Sequence, residues 1–387
     1  MKEKILIYNA AVYQLDGLCT PGWVLIEGKH ITCVGAGDPP QGIDDLKQID
    51  AQGLNLLPGF FDLHIHGSNG YEVMDADPGS ILGMASFLVR HGVTSFLPTT
   101  LTATHERILS AIQAVKQASF APHGVRAAIL GVHLEGPYLN PERCGAQDPS
   151  QIRRADRQEF ADYVSSGMLK LIAVAPEFPE NLGLIQTCIK QGITVSAGHT
   201  SANLDQMRHA ISLGLSQVTH IYNAMSPLDH RGVGTVGAAL ALDELTCEMI
   251  CDNVHVHPAV QKVAVRCKGT DRVILISDAL RSAGLPGGEY MVDQKKVFNR
   301  DGACYLEDGS LAGSVISIDT ALKNVLENTG LSLEQGWRMS SYNAAKAIHM
   351  DNIKGSIAPG KDADLVLLDE KLGVRMTIVQ GKIVYEV

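Results

Sequence analysis

Between residues 58 and 350 the chain repeats one local pattern eight times, a short apolar run followed by a longer polar or amphipathic stretch. In order the runs are PGFFDLHIH, GVTSFLPTT, AAILGVHLEG, LKLIAVAPE, GITVSAGHT, SQVTHIYNA, CEMICDNVHV and DRVILISDA. Between most of them lie segments of helical period, such as HERILSAIQAVKQAS and SANLDQMRHAISLG. Strands separated by helices pair in parallel, because a helical crossover returns the chain to the same end of the sheet. Eight strand–helix units are what a (β/α)8 TIM barrel needs. An open doubly wound sheet is the competing α/β arrangement. It is disfavoured because no GxGxxG opens a helix after a first strand.

The two ends read differently. KILIYNAAVY, WVLIEGKHITCVGA and LKQIDAQGLNLL fill the first 57 residues with short strands broken by Gly, Pro and Asp. KGSIAPGKDADLVLLD and VRMTIVQGKIVYEV do the same at the other end. Either arm alone is too small to be stable. The expected organisation is therefore a small β-sandwich domain made of 1–57 and 351–387, around a barrel domain at 58–350. A length of 387 residues agrees, since one core stops growing at roughly 250–300 residues. With 32 Lys and Arg against 42 Asp and Glu, the net charge is −10. Without a basic run, this excludes nucleic acid and anionic membranes as expected partners. No run is long enough for a transmembrane helix, and MKEKILIYNA has no secretory pattern. The eight scattered cysteines read as reduced thiols, so a cytoplasmic protein is expected.

Polar residues sit at the C-terminal ends of the runs, the face on which barrels carry their active sites. The first run ends in His64 and His66, two apart and so on one side of a strand. The third ends in Glu135, the fifth in His199, the sixth carries His220 and the eighth ends in Asp278. Imidazole and carboxylate ligands suit a borderline divalent cation such as Zn or Fe(II). Six groups are too many for one tetrahedral ion with an open position, so two ions are expected. His64 and His66 would hold one, His199 and His220 the other, with Glu135 between them. Asp278 is the expected general base and then acid. A pure ligand role for Asp278 is the simpler alternative. His133 reads as a packing residue, and His230 and His257 as surface or loop residues.

This ordered set resembles the amidohydrolase superfamily over nearly the whole chain. Within it, HLEGPYLNPE, AGHTSAN, THIYNAM and SDALRSAG are similar to the N-acetylglucosamine-6-phosphate deacetylase family. Many superfamily members bridge their metals with a carboxylated lysine. No lysine ends the third or fourth run, and the resemblance implies that Glu135 takes the bridging place. It also implies a metal-dependent deacetylase of a phosphorylated amino sugar that assembles as a homodimer or larger. Phosphate contacts would come from the side chain of Asn223, the backbone N–H of Ala224, Arg231 and His255. Where the family usually reads Gly-Ala-His beside the sugar, this chain has Gly145, Ala146 and Gln147. Ala146 and Gln147 are thus candidate substrate contacts, and the gluco or galacto configuration of the sugar is left open. The competing readings are the galactosamine isomer as substrate, a cyclic-amide hydrolase and a non-catalytic barrel. The missing lysine opposes the second and the complete ligand set opposes the third.

Overall fold

The computed structural model describes residues 3–40, 42, 46–122 and 124–387. Of the amino-terminal region expected in the small domain, 1, 2, 41 and 43–45 lie outside the described residues. The chain opens with β1 (Lys4–Gln14), β2 (Gly17–Glu27), β3 (His30–Ala36), β4 (Leu46–Asp50) and β5 (Asn55–Pro58). A parallel series follows: β6 (Phe60–Ile65), β7 (Val93–Pro98), β8 (Val132–Glu135), β9 (Leu169–Val174), β10 (Thr194–Ala197), β11 (Gln217–Val218), β12 (Thr246–Ile250) and β13 (Val273–Ile276). Each of the eight apolar runs supplies one of these strands.

Strands β8 to β13 form a continuous six-stranded parallel half-barrel, while β6 and β7 pair in parallel beside it. Thr99 and His133 bridge the two groups in parallel register. At the other side the Asp278 N–H donates to the His64 carbonyl at 2.8 Å. The Ser277 N–H donates to Asp62 Oδ1 at 3.2 Å. Strand alternation sorts the apolar side chains into two cores. Phe61, Leu63, Leu97, Leu171, Ile250, Ile274 and Ile276 form the inner cluster, which Ala344, Ala345 and Ile348 join. Val132, Leu134, Ile172, Val174, Val195, Cys247, Met249 and Leu275 face the helices. The helices start at local signals. Thr104 caps His105–Ser119 by accepting the Arg107 N–H, and Asn203 with Gln206 makes a capping box on Leu204–Leu213.

Sequence patterning did not anticipate the next segment. After β13 comes an antiparallel meander of β14 (Gly288–Val292), β15 (Lys295–Arg300), β16 (Ala303–Tyr305) and β17 (Leu311–Ser314). Lys295 pins it to the loop after β8, its Nζ donating to the Ala146 and Gln147 carbonyls at 2.7 and 3.1 Å. Helix Ile318–Thr329 then leads to the chain's return. The last strands, β18 (Leu365–Leu368), β19 (Val374–Val379) and β20 (Lys382–Glu386), rejoin the opening ones. One eight-stranded sheet results, in the order β20-β19-β18-β5-β1-β2-β3, with β4 on β1. The protein is thus a mixed α/β fold, with a parallel-strand half-barrel and a separate sheet-rich region built from both ends of the chain. That region has its own core of Ile5, Ile7, Val24, Ile26, Leu56, Leu365, Leu367 and Ile378.

The return is tied by a buried ion cluster. Lys354 Nζ lies 2.9 Å from Asp362 and in direct contact with Asp364. Asp364 Oδ1 also accepts the Gln380 N–H at 2.7 Å. Removing the cation strands two buried carboxylates. Lys354→Met should lower unfolding stability by about 3–5 kcal/mol, measured by urea titration. Adding Asp364→Asn to it should recover part of the loss. An unchanged urea midpoint in the single variant would mean that water reaches the cluster.

Candidate metal centre

At the C-terminal ends of the parallel strands four imidazoles turn their Nε2 atoms toward one carboxylate. Glu135 Oε1 lies 3.0 Å from His220 Nε2, 3.2 Å from His199 Nε2 and 3.4 Å from His64 Nε2. Glu135 Oε2 lies 3.3 Å from His66 Nε2. Asp278 Oδ1 completes the ring, 3.3 Å from His66 Nε2 and 3.6 Å from His64 Nε2. Five of the six side chains are buried, and Asp278 is only partly so, with 13% of its side chain exposed. It therefore borders the open side of the cluster.

Backbone geometry aims these groups. His199, His220 and Asp278 adopt φ of 47°, 31° and 48°, and Ala224 and Tyr222 nearby have 51° and 80°. Such left-handed conformations are costly for residues with a Cβ, and they gather where function over-determines the fold. Asp278 is pinned on both sides, donating to His64 and accepting the Ser314 N–H at 2.8 Å. The meander thus holds one member of the cluster directly.

The far nitrogens of three imidazoles are anchored. His66 Nδ1 meets the Thr99 carbonyl at 3.1 Å, and His199 Nδ1 the Arg143 carbonyl at 2.8 Å. His64 Nδ1 meets Glu248 Oε2 at 3.2 Å. A carbonyl or carboxylate can only accept, so each of these Nδ1 atoms carries a proton. The Nε2 lone pairs then face inward, 3.2 Å apart for His64 and His66 and 3.1 Å apart for His199 and His220. Two facing lone pairs at that distance require something positive between them. Burial pulls the His64 pKa down, but Glu135 and Asp278 overcome it and hold it well above its ordinary value. Against the same burial, the same carboxylates push His66 up to about 9. Burial pushes Glu135 up, yet His64, His199 and His220 hold it well below the carboxylate range. Protons meet this demand for positive charge at the cost of crowding Nε2–H groups. A divalent cation meets it without that crowding, and the set His64, His66, Glu135 and the set Glu135, His199, His220 each have ligand atoms close enough to share one.

A cavity of about 200 Å³ opens on the cluster. Ala146, Gln147, Asn223, Ala224 and His255 line it together with Leu311, Ala312 and Gly313 of the meander. His255 Nδ1 sits 2.6 Å from Asp252 Oδ2. Gln147 Nε2 donates to Glu135 Oε2 at 2.6 Å while its Oε1 accepts the Thr102 N–H at 2.7 Å. Arg231 is not brought into that lining. It is exposed, and its backbone N–H is held by Asp229 Oδ1 at 2.8 Å. His133 is buried beneath the cluster, its Nδ1 3.1 Å from the Leu63 carbonyl and its ring 4.6 Å from that of His64. His230 is exposed, and His257 caps the helix Pro258–Lys268.

Sequence reasoning passed over Glu248 and Gln217. Gln217 Nε2 donates to Glu248 Oε1 at 2.5 Å, and both side chains are buried. The available signal was a lone carboxylate inside the apolar run Cys247-Glu248-Met249-Ile250.

Residues 55–384 match the Amidohydrolase family, and the chain belongs to that family. It is 39% identical over 381 residues to N-acetylglucosamine-6-phosphate deacetylase of Lysinibacillus sphaericus, spanning 98% of this chain and 97% of that one. It is 36% identical over 330 residues to N-acetylgalactosamine-6-phosphate deacetylase of Escherichia coli O157:H7, spanning 85% and 87%. The crystal structure of N-acetylglucosamine-6-phosphate deacetylase from Pasteurella multocida superposes with a TM-score of 0.92 at 31% identity, covering 98% of this chain and 99% of that one.

If the cluster is a cation site, metal should stabilise the fold measurably. Chelator-stripped protein titrated with Zn2+ should gain about 2.7 kcal/mol of unfolding stability at free metal 100-fold above Kd, read as a rise in thermal midpoint. A midpoint that ignores Zn2+, Fe2+ and Mn2+ alike would mean that protons alone balance the cluster.

Proposed function

We propose that the protein is a metal-dependent hydrolase that removes the acetyl group from N-acetylglucosamine 6-phosphate, giving glucosamine 6-phosphate and acetate. The observation that carries the reading is the inward-facing imidazole and carboxylate cluster at the floor of a cavity lined by amide and imidazole groups. Its near-full-length likeness to deacetylases of this substrate agrees. The galactosamine isomer is the second reading, favoured by the relative that bears that name, and Gln147, where the resembled family has a histidine, leaves the choice open. In this reading the eight parallel strands close as a (β/α)8 barrel, supported by the Thr99–His133 bridge and the Asp278–His64 hydrogen bond. Residues 58–350 are its domain, and 1–57 with 351–387 form the small β-sandwich domain. A cytoplasmic homodimer or larger assembly belongs to the same reading, and the eight free cysteines suit a reducing compartment. Among the described residues no helix is long and apolar enough to cross a membrane.

His64 and His66 would hold one ion and His199 and His220 a second, with Glu135 shared, and zinc or iron fits these ligands. Divalent ions bound there supply Lewis acidity, making water acidic enough to attack at neutral pH and polarising the amide carbonyl. Asp278, at the open edge of the cluster, takes the proton of the attacking water. It returns that proton to the sugar nitrogen as the C–N bond breaks, so acetate and the free amine leave together. Asn223, the Ala224 backbone and His255 bind the phosphate end, and Ala146 and Gln147 border the sugar. Arg231 reaches the phosphate only if its loop turns inward on binding.

Two experiments test this assignment. Asp278→Asn keeps shape but cannot accept the proton, so it should bind metal and substrate while turnover falls by roughly 10²–10⁴-fold. Full metal content with turnover within a few-fold of the parent would move the base elsewhere. The second experiment follows the phosphate. Burial pulls the His255 pKa down, but Asp252 outweighs it and raises the pKa above its ordinary value. The imidazolium is therefore complete below the ordinary histidine pKa of ~6.5 and disappears as pH rises through the raised pKa. A phosphate monoester is already dianionic above a pKa near ~6, so KM for the phosphorylated sugar should climb on the alkaline side. In His255→Asn that climb should vanish and KM should be high throughout, with kcat little changed. A parent KM that stays flat into the alkaline range would remove His255 from phosphate binding.

A further inference from the structure

Glu248 lies on β12, in the middle of the strand rather than at the strand ends where the other cluster residues sit. Its neighbours Cys247 and Met249 pack outward against the helices, so Glu248 points into the closed side of the parallel array. It is fully buried. A carboxylate there is expensive unless a positive charge answers it. Among the described residues no Lys or Arg pairs with it. Its contacts are Gln217 Nε2 at 2.5 Å and His64 Nδ1 at 3.2 Å. His133 also lies within 4.8 Å, but burial holds its pKa well below the ordinary value, so positive charge reaches Glu248 through the His64 imidazole. His64 is also the one imidazole of the four whose far nitrogen meets a carboxylate rather than a carbonyl or no partner.

We infer that Glu248 is a positioning residue for the ion held by His64 and His66, acting through the His64 ring, with Gln217 fixing the carboxylate. This rests on the two-ion reading above. The Glu248 oxygen keeps the proton on Nδ1 and so leaves the Nε2 lone pair free for metal. Its negative charge makes that nitrogen a stronger donor. A cation on Nε2 in turn supplies the charge that makes the buried carboxylate tolerable. His199, anchored by the neutral Arg143 carbonyl, receives no such charge. The two ions should therefore differ in their dependence on Glu248.

The test is metal binding to purified full-length protein, followed by competition against a chromophoric chelator. Glu248→Gln keeps the shape and can still accept the His64 Nδ1–H through its amide oxygen, provided Gln217 rotates its amide. It removes only the charge. One ion should bind about 10–100-fold more weakly, the usual effect of losing such a partner, while the affinity of the other stays at the parental value. Gln217→Met, which frees Glu248 without removing it, should weaken the same ion by a smaller factor. The metal-free forms of parent and Glu248→Gln should have matching thermal midpoints, which separates a metal defect from a folding defect. Equal affinities in parent and Glu248→Gln for every ion would overturn the inference, as would an equal weakening of both ions. A parent that binds a single ion fails the two-ion reading instead. The inference then survives only if Glu248→Gln weakens that one ion.

Discussion

Everything that distinguishes this molecule from a plain α/β scaffold depends on one unfavourable arrangement, the crowding of imidazole nitrogens and carboxylate oxygens inside a dry strand array. His64, His66, His199 and His220 bring their Nε2 atoms within 3.0–3.4 Å of Glu135. Without a cation this geometry sets lone pairs or protons against each other. The structure holds it anyway, because three of the four rings are fixed on the far side, His66 and His199 by a backbone carbonyl and His64 by Glu248. The left-handed φ values of His199, His220 and Asp278 are part of the same compromise. Strand ends that must aim a side chain inward give up relaxed backbone to do so.

The same strands carry stability below and chemistry above. Phe61, Leu63, Leu171, Ile274 and Ile276 fill the lower interior, closed by Ala344, Ala345 and Ile348. The polar cluster therefore sits on close-packed hydrocarbon, which excludes water and strengthens each electrostatic interaction in it. Rigid elements also place donors more reliably than loops do. Here the cluster residues sit on strands or within two residues of a strand end, while most of the other groups lining the cavity rest on loops.

Much of this was legible in the sequence because it follows from periodicity and position. Eight apolar runs became eight parallel strands, and HERILSAIQAVKQAS became one helix of the same bounds, His105–Ser119. The six cluster residues could be picked out because a polar group at the end of an apolar run is conspicuous. The meander was not legible. Its strands are short and only partly buried, and the sequences GEYMV, KKVFNR and LAGS show no regular apolar–polar alternation. They are held by cross-strand pairing and by Lys295, a long-range contact that no local pattern reports. Glu248 was missed for the opposite reason. It is local and conspicuous in kind, but its meaning depends on which way a mid-strand side chain points. Arg231 shows the converse limit, since spacing places it in the right loop and cannot say that its side chain faces solvent.

Gln147 shows how the meander and the cluster act together. Its amide has one donor end and one acceptor end, and both are engaged within the protein, on Glu135 Oε2 and on the Thr102 N–H. Its own carbonyl and that of Ala146 are gripped by Lys295 from β15. A histidine in that place offers one donor and one acceptor on a rigid ring and can carry charge, whereas the carboxamide is always neutral. The carboxamide thus braces the second oxygen of Glu135 without adding positive charge beside the cations the cluster calls for. The meander fixes the height of that brace through Lys295. Its Ser314 N–H also donates to the Asp278 carbonyl, so one inserted sheet bears on both Glu135 and Asp278. A polar, poorly patterned segment outside the eightfold repeat thereby comes to govern the most constrained atoms in the molecule.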